Sequence, residues 1–533
     1  MTIPGYAGSI LYVDLNTEKT RKEPLDPALV RTLIGGYGVN NKLAYDLIPP
    51  HADPLSPENA IIIGAGPFSA TLVPSSAELV ITSKLPLSGG FGTNAGGGHF
   101  PLMLKSSGYD HVVIAGRAPK PVYLRISDDD VKICDAGHLW GRDTFETVDE
   151  LRARYEPCSV IPIGPAGENL VKISVTCQDK LGTLGFGGLP AVMGSKNLKA
   201  IVAVQGTRGI RVANRLRLVR AVERMMERVM SYHLRPTLIE GGTYAMTSGW
   251  LGGMGLDTES WAEIHKRSRK TLACPSCPMG EKELNRLREG EFSPMVSYMT
   301  HFMGEVESSA KTALDNHNRA IKRLDTFNRN GICMINFQST LGLMFSLYER
   351  GVITKEDTGI ELKPDYDTVL RLIEMTAHRQ GFGDVVAEGA LGAARRIGSG
   401  AEEHAVHIKG CSPFLDPRID SLNTMNFAQM VHPSRPNYAC GGIGVYMPGR
   451  PVDMHISHAR RIGITDEAIA RIFSAESYNI GRLTKHAEDW FSLFNCLGLC
   501  HRLYIHRFHS IEGVVDFYSA ITGIDTTPAE LLK

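Results

Sequence analysis

Cys274-Pro-Ser-Cys277 is the spacing in this chain with the most direct chemical use. Two thiolates two residues apart can grip one iron or zinc ion. The same pair can cycle as a redox dithiol. Cysteines also serve as small core residues, so the spacing alone leaves all three roles open. Cys496-Leu-Gly-Leu-Cys500 is a second, looser pair. Two glycine loops are candidate ligand cradles. In the stretch Ser88-Gly-Gly-Phe-Gly-Thr-Asn-Ala-Gly-Gly-Gly-His-Phe100, six of thirteen residues are glycine. Ordering so much glycine is costly. It makes sense where backbone amides approach an anion, or where a tight corner has no room for side chains. Leu184-Gly-Phe-Gly-Gly-Leu-Pro190 is the second such loop. His501, His506 and His509 fit no single helical face and read as structural or exposed, as do His455 and His458.

The elements that must carry these residues divide the chain. Up to about residue 205 the pattern is β-rich. Ser9–Asp14, Leu79–Thr82, Asn59–Ala65, His111–Ala115, Val122–Ile126 and Ala200–Val204 are short apolar runs bounded by turn residues. Beyond about residue 208 the periodicity becomes helical. Asn214 is placed to cap a helix over 215–231. Further helices are expected over 365–380, 383–397, 466–474 and 484–494. Three domains are therefore expected: a β-rich one over 1–208, a helical one with the CxxC over 209–410, and a helical C-terminal one over 411–533.

Composition narrows the class. The chain has 533 residues, 43% hydrophobic and 21% charged, more than one hydrophobic core can organise. Lys+Arg and Asp+Glu are both 57, which gives no basic footprint for nucleic acid or an anionic membrane. No apolar run is long enough to insert into a bilayer, and no secretory leader is visible. Ten unevenly spread cysteines suggest reduced thiols in a cytoplasm and no disulfide scaffold.

Taken in order, the motifs resemble the aldehyde ferredoxin oxidoreductase family. The matching stretches include Ile10-Leu-Tyr-Val-Asp-Leu-Asn-Thr17, Gly35-Gly-Tyr-Gly38, Gly64-Ala-Gly-Pro67, Asn94-Ala-Gly-Gly97 and Leu104-Lys-Ser-Ser-Gly-Tyr-Asp110. They continue through Ile163-Gly-Pro-Ala-Gly-Glu-Asn169, Cys274-Pro-Ser-Cys-Pro278, Asp416-Pro-Arg418 and Leu497-Gly-Leu-Cys500.

The resemblance implies an α+β fold: a β-rich N-terminal domain as a base, two mainly helical domains over it, and the cofactor at their interface. It implies a tungsten (or molybdenum) bis-molybdopterin, a 4Fe-4S cluster and a Mg2+ bridging the pterins. By the same likeness Asn94, Ala95, Gly96, Gly97, Lys105, Phe186, Gly187, Asn328, Gly331, Asn495, Gly498 and Leu499 would contact the pterins. Cys274, Cys277 and Cys500 would hold the cluster. Glu305, Glu307, His301 and His432 would serve the reaction. Expected partners are a small aldehyde or activated acid, a ferredoxin or iron–sulfur electron-transfer subunit, and further chains in a homo- or hetero-oligomer.

The implied reaction is oxidation of an aldehyde to a carboxylate. One alternative is a reductive acyl-CoA or aromatic reductase subunit of the same family. Another is a cofactor-free paralogue acting in binding or assembly. The departures define the contrast. Glu281 stands where the family's third cluster cysteine is expected, a harder ligand than thiolate. Asn328 and Asn495 stand for the leading Asp of two pterin motifs, and Glu78 and Phe186 for two arginines. Lys84, Lys105, Lys196 or backbone amides are then expected to meet phosphate.

Overall fold

A computed structural model describes residues 3–242, 258–280, 282–299, 313–414, 416, 418, 423–437, 440, 451–474, 477–501 and 508–532. Glu281, His301, Glu305, Glu307 and His506 lie outside these residues.

The N-terminal region is built on two sheets. The first has six strands: β1 (Ser9–Asp14), β2 (Lys19–Pro24), β3 (Ile61–Ala65), β4 (Glu78–Lys84), β5 (Phe91–Gly97) and β6 (His111–Ala115). Their order is β2-β1-β6-β3-β4-β5, with β1 and β6 parallel and the other pairs antiparallel. The second contains β7 (Val122–Ser127), β8 (Asp130–Asp135), β9 (Cys158–Pro162) and β12 (Leu198–Val204). The hairpin β10 (Thr176–Gln178) and β11 (Gly182–Leu184) lies between β9 and β12 in sequence.

Strand alternation makes the layers. Leu11, Val13, Ile61, Ile63, Val112 and Ile114 face the second sheet and share a core with Leu124, Ile126, Ile161 and Ile201. Ile10, Ile62 and Val113 point the other way, against Val30 of helix Pro27–Leu33 and Val39 and Leu43 of helix Gly36–Leu47.

The rest is mainly helical, as expected. Asn214 caps helix Arg215–Met230, its side chain accepting from the Arg217 amide at 2.9 Å. That helix shares a core with Ile480–Leu497 and Ile511–Thr522, while Met334–Glu349, Tyr366–Ala377 and Gly389–Ile397 form a separate one. The expected helix over 383–397 is two helices, Gly383–Val386 and Gly389–Ile397. It breaks at Gly389, whose φ is +77° and where a Cβ would lie 2.8 Å from Leu87. The CxxC lies between two strands of an antiparallel sheet absent from the sequence reading: β13 (Arg269–Leu272) precedes it, and β14 (Lys282–Leu287) and β15 (Met295–Met299) follow. Among the described residues no helix is long and apolar enough to cross a membrane.

Buried Asn40 fastens helix Gly36–Leu47 to the first sheet. Its amide Nδ2 donates to the carbonyls of Ile62 and Val80 at 3.0 and 3.2 Å. Its Oδ1 therefore accepts, and His111 Nδ1–H is the donor at 2.9 Å. Burial holds the His111 ring down to about 4, so the fold keeps it neutral. An unfolded chain takes up this proton below about pH 6.5, and the folded chain refuses it until about pH 4. Stability is therefore expected to fall as pH drops through that window, this ring contributing about 3 kcal/mol. His111→Asn keeps an N–H for Asn40 without titrating. Denaturant midpoints measured from pH 7 to pH 4 should show a shallower slope for this variant; equal slopes would exclude His111 as the source.

Candidate active site

Segment 66–78, between β3 and β4, gathers the cysteines. The Phe68 amide donates to the Leu497 carbonyl at 3.1 Å, and the Glu78 amide to the Gly498 carbonyl at 3.2 Å. The Cys500 amide donates to the Ser75 carbonyl at 2.9 Å. Ser75 and its neighbour Ser76 also hold the CxxC turn: the Ser75 amide donates to the Ser276 carbonyl at 2.8 Å, and the Ser76 amide to Ser276 Oγ at 3.3 Å. Within the turn, the Cys277 amide donates to the Cys274 carbonyl at 3.1 Å. Cys274, Cys277 and Cys500 are thus fixed around one short loop although they are far apart in sequence. All three are half-buried thiols, and all ten cysteines lie outside disulfides. Among the described residues no three His, Cys, Asp or Glu side chains converge on a single ion. A cubane takes its thiolates at separate corners, so its ligands surround a space rather than a point.

Cys496 is placed differently. Burial pushes its thiol up to about 12, and the backbone of Gly38 hydrogen-bonds to it. A thiol so hard to ionise is a poor cluster ligand.

The glycine stretch is an edge strand, β5, with β4 on one side only. Most of its glycines are explained by packing. A Cβ on Gly92 would lie 2.3 Å from Leu85, on Gly96 3.1 Å from Leu184, and on Gly98 2.0 Å from Gln178. Gly97 lies at the cysteine end: a Cβ there would lie 3.0 Å from Cys274 Sγ and 3.5 Å from Glu78 Oε2. Buried Glu78 also faces His501, with Oε1 3.4 Å from Nδ1.

The middle of β5 is cationic. Arg435 Nη2 donates to the Thr93 carbonyl at 2.8 Å and to Asn94 Oδ1 at 3.1 Å. Its guanidinium lies 4.9 Å from the centre of the half-buried Phe186 ring. The sequence reading passed over Arg435, although it lies three residues after His432 in a proline-flanked loop. His432 is half-buried, and burial, helped by Arg435 and Lys409, holds it down to about 4. Its Nδ1 accepts from the Ser434 amide at 3.4 Å, so the neutral ring carries its proton on Nε2.

Two of the expected pterin positions carry buried polar atoms without a partner. Asn94 offers its Oδ1 to Arg435, which leaves Nδ2 unsatisfied. Asn495 donates Nδ2 to the Phe491 carbonyl at 2.9 Å, which leaves Oδ1 unsatisfied. Such atoms normally find a hydrogen-bond partner. One is a donor and one an acceptor, a set that suits a heterocyclic or phosphorylated ligand.

The remaining expected contacts are structural in form. Asn328 Nδ2 donates to the Tyr298 carbonyl at 3.4 Å. Gly331 has φ +75° and would place a Cβ 2.8 Å from the Val175 carbonyl. Gly187, at φ +96°, would place one 2.9 Å from Leu85. Leu499 is buried in the helical core, and Ala95 is half-buried on β5.

The lysines are committed elsewhere. Lys105 Nζ donates to the carbonyls of Gly5 and Gly66 at 2.6 and 3.0 Å and lies 3.5 Å from Asp110. Lys196 Nζ donates to the Pro57, Asn59 and Gly116 carbonyls. Lys84 Nζ donates to the Pro50 carbonyl at 2.7 Å. Lys105 and Lys196 have no N–H left for a phosphate.

Residues 10–205 match the family model for the aldehyde ferredoxin oxidoreductase N-terminal domain, and residues 243–533 match its domains 2 and 3. The chain belongs to the aldehyde ferredoxin oxidoreductase family. It is 32% identical over 446 residues to the tungsten-containing aldehyde ferredoxin oxidoreductase of Pyrococcus furiosus, covering 78% of this chain and 71% of that one. It is 28% identical over 445 residues to the WOR-like subunit of an aliphatic sulfonate oxidoreductase from the same organism, covering 76% of this chain and 70% of that one. Among solved structures it is similar to the active-site complex BamBC of benzoyl coenzyme A reductase, solved with 1,5-dienoyl-CoA. The TM-score is 0.85 at 23% identity, over 100% of this chain and 87% of that chain, which shows the shared fold.

The joint between segment 66–78 and the Leu497–Cys500 turn leaves no room for a side chain. A Cβ on Gly66 would lie 2.0 Å from the Leu497 carbonyl carbon. Gly66→Ala must push the two segments apart, and a loss of about 1–3 kcal/mol is expected. Chemical unfolding would register it as a lower midpoint; an unchanged midpoint would show that the contact yields freely.

Proposed function

We propose that the protein is an oxidoreductase that holds tungsten, or molybdenum, on pterin dithiolenes, with a 4Fe-4S cluster beside it. In this reading it oxidises an aldehyde to a carboxylate and passes the electrons to a ferredoxin or to an iron–sulfur subunit. The observation that carries the reading is the gathering of Cys274, Cys277 and Cys500 by Ser75 and Ser76, next to a glycine strand that bears an unsatisfied buried amide at Asn94. A cofactor-free scaffold would have no use for that unsatisfied N–H or for the Asn495 oxygen, which each cost free energy when left bare.

When bound, the metal and its dithiolenes supply two-electron chemistry by which an aldehyde and water become a carboxylic acid, with two protons released. The chain's own residues divide the remaining work. Cys274, Cys277 and Cys500 hold the cluster, and Glu281 completes its ligand set as a carboxylate. Asn94 Nδ2 donates to the cofactor and Asn495 Oδ1 accepts from it. Glu305 and Glu307 would take up protons, and His301 would serve the same reaction. Neutral His432 presents its Nε2–H as a donor, which suits orienting an oxygen better than removing a proton. The protein would work as a homo- or hetero-oligomer.

Anaerobically purified protein from a host supplied with tungstate and molybdate should contain about one tungsten or molybdenum and about four iron atoms per chain. Cys274→Ser should lose most of the iron. Metal-free, colourless protein from such a host would overturn the reading. Asn495→Leu removes the bare oxygen at the cost of one hydrogen bond. It is expected to leave the cofactor-free chain within about 1 kcal/mol of the parent, or more stable, while the pterin content of the purified protein drops. Unchanged pterin content would remove Asn495 from the site.

A further inference from the structure

Arg435 occupies an unusual position for a guanidinium. Two oxygens at adjacent positions on β5, the Thr93 carbonyl and Asn94 Oδ1, are directed at one point, and Arg435 Nη2 donates to both at 2.8 and 3.1 Å. A carbonyl and an amide oxygen held together are the ligand types that hard divalent cations take. Here a nitrogen stands on them. The consequence reaches the other half of the same amide. With Oδ1 turned to Arg435, Asn94 Nδ2 is turned away, buried and without a partner. An N–H cannot ligate a metal, but it can donate to an anionic oxygen.

The neighbours hold the guanidinium there. Phe186 lies under it at 4.9 Å, and an arginine gains from an aromatic face in a way a metal does not. Gly92 allows the approach, since a Cβ there would lie 3.3 Å from Arg435 Nε. Phe186 is thus not simply a lost cation. It is the platform for a cation brought in from residue 435.

We propose that Arg435 takes the seat a divalent cation would fill beside Asn94, so that the anionic phosphate end of the cofactor is met by a guanidinium and the Asn94 amide N–H, without Mg2+. The inference rests on the pterin reading above, and its failure is separable from the failure of that reading. A pterin phosphate and a free phosphate-type anion share this chemistry, and the experiment distinguishes them.

The test uses the full chain from a cofactor-producing host, as the parent and as Arg435→Gln and Arg435→Lys. Pterin is measured by fluorescence after oxidation, and magnesium by elemental analysis, before and after dialysis against EDTA. The parent is expected to keep its pterin through EDTA with only trace magnesium. Arg435→Gln opens the two oxygens. It should lose pterin about tenfold in EDTA, as expected for one charged hydrogen-bonding group, and regain it in millimolar Mg2+. A merely structural arginine would show no such rescue by the metal. Arg435→Lys keeps the charge without the planar fork and should fall between the two.

About one magnesium per chain in the parent, with cofactor released by EDTA, would overturn the inference while leaving the pterin reading intact. So would full pterin retention by Arg435→Gln in EDTA. The parent measurement decides the matter even where the Gln variant fails to fold. If the parent carries no pterin, the function reading falls, and pyrophosphate binding in EDTA by calorimetry becomes the deciding arm. Binding by the parent that is lost in Arg435→Lys or Arg435→Gln would keep the anion seat. No binding by the parent would remove it.

Discussion

The site depends on a backbone contact that admits no side chain. Segment 66–78 must touch the turn at Leu497–Cys500 closely enough for the Phe68 and Glu78 amides to reach the Leu497 and Gly498 carbonyls. Gly66 and Gly498 make this possible. A Cβ on Gly498 would lie 2.5 Å from Ser69 Oγ, and its φ of +82° suits glycine. Once this contact is made, the positions of the chemical groups follow. Ser75 carries Cys500 on its carbonyl and the CxxC turn on its amide. Three cysteines spread over more than two hundred residues therefore share one reference frame, set by main-chain hydrogen bonds instead of side-chain packing. Such a frame is stiff, because each bond fixes backbone and not a rotamer.

Strand β5 then separates two electrostatic environments. Asn94 lies among Arg435 and Phe186, whereas Gly97 lies beside Glu78 and Cys274. Three residues of extended chain place these about 10 Å apart. The Glu78 carboxyl belongs to the cysteine end, where its Oε1 lies 3.4 Å from His501 Nδ1. This resolves the apparent conflict of a glutamate in a region expected to meet phosphate: Glu78 lies at the Gly97 end of the strand, and the arginine at its middle. Tyr37 on helix Gly36–Leu47 has its hydroxyl pushed up by burial.

Legibility in the sequence followed locality. Helices with a polar cap and an amphipathic face were readable: Asn214 caps where the pattern placed it, Thr465 caps the helix expected from residue 466, and Asp365, read as the first residue of its helix, is its cap. The break at Gly389 was not readable, because Leu87, three hundred residues away, supplies the reason for it. The sheet β13–β15 was missed because Lys282-Glu-Leu-Asn-Arg-Leu287 carries helix-favouring residues, and pairing with its neighbours overrides that preference. The glycine stretch was recognised as a place of close approach, yet what approaches most of it is protein. Arg435 was hidden for a related reason. An arginine in a proline-flanked loop has no pattern that announces its partner on a distant strand.

The contrast between the lysines and Arg435 explains why the cation at β5 must be an arginine. Lys105 and Lys196 stand in the motif-rich stretches where a phosphate ligand would be sought, but each is buried under loops whose carbonyls have no ladder partner. A compact ammonium with its donors spread around one point can close several such carbonyls at once, and both lysines do this. Burial lowers both, Lys196 to about 8, because the carbonyls solvate the charge less well than water does. A group used in this way points inward and is consumed. The guanidinium differs in shape: one edge can satisfy Thr93 and Asn94 while its flat face rests on Phe186. It brings positive charge to the strand and, through the Asn94 amide, sets the direction of a neighbouring donor. Phe186 standing where an arginine was expected is thereby compatible with a cation on the strand, since its ring lies against the arginine that arrives from the other part of the chain.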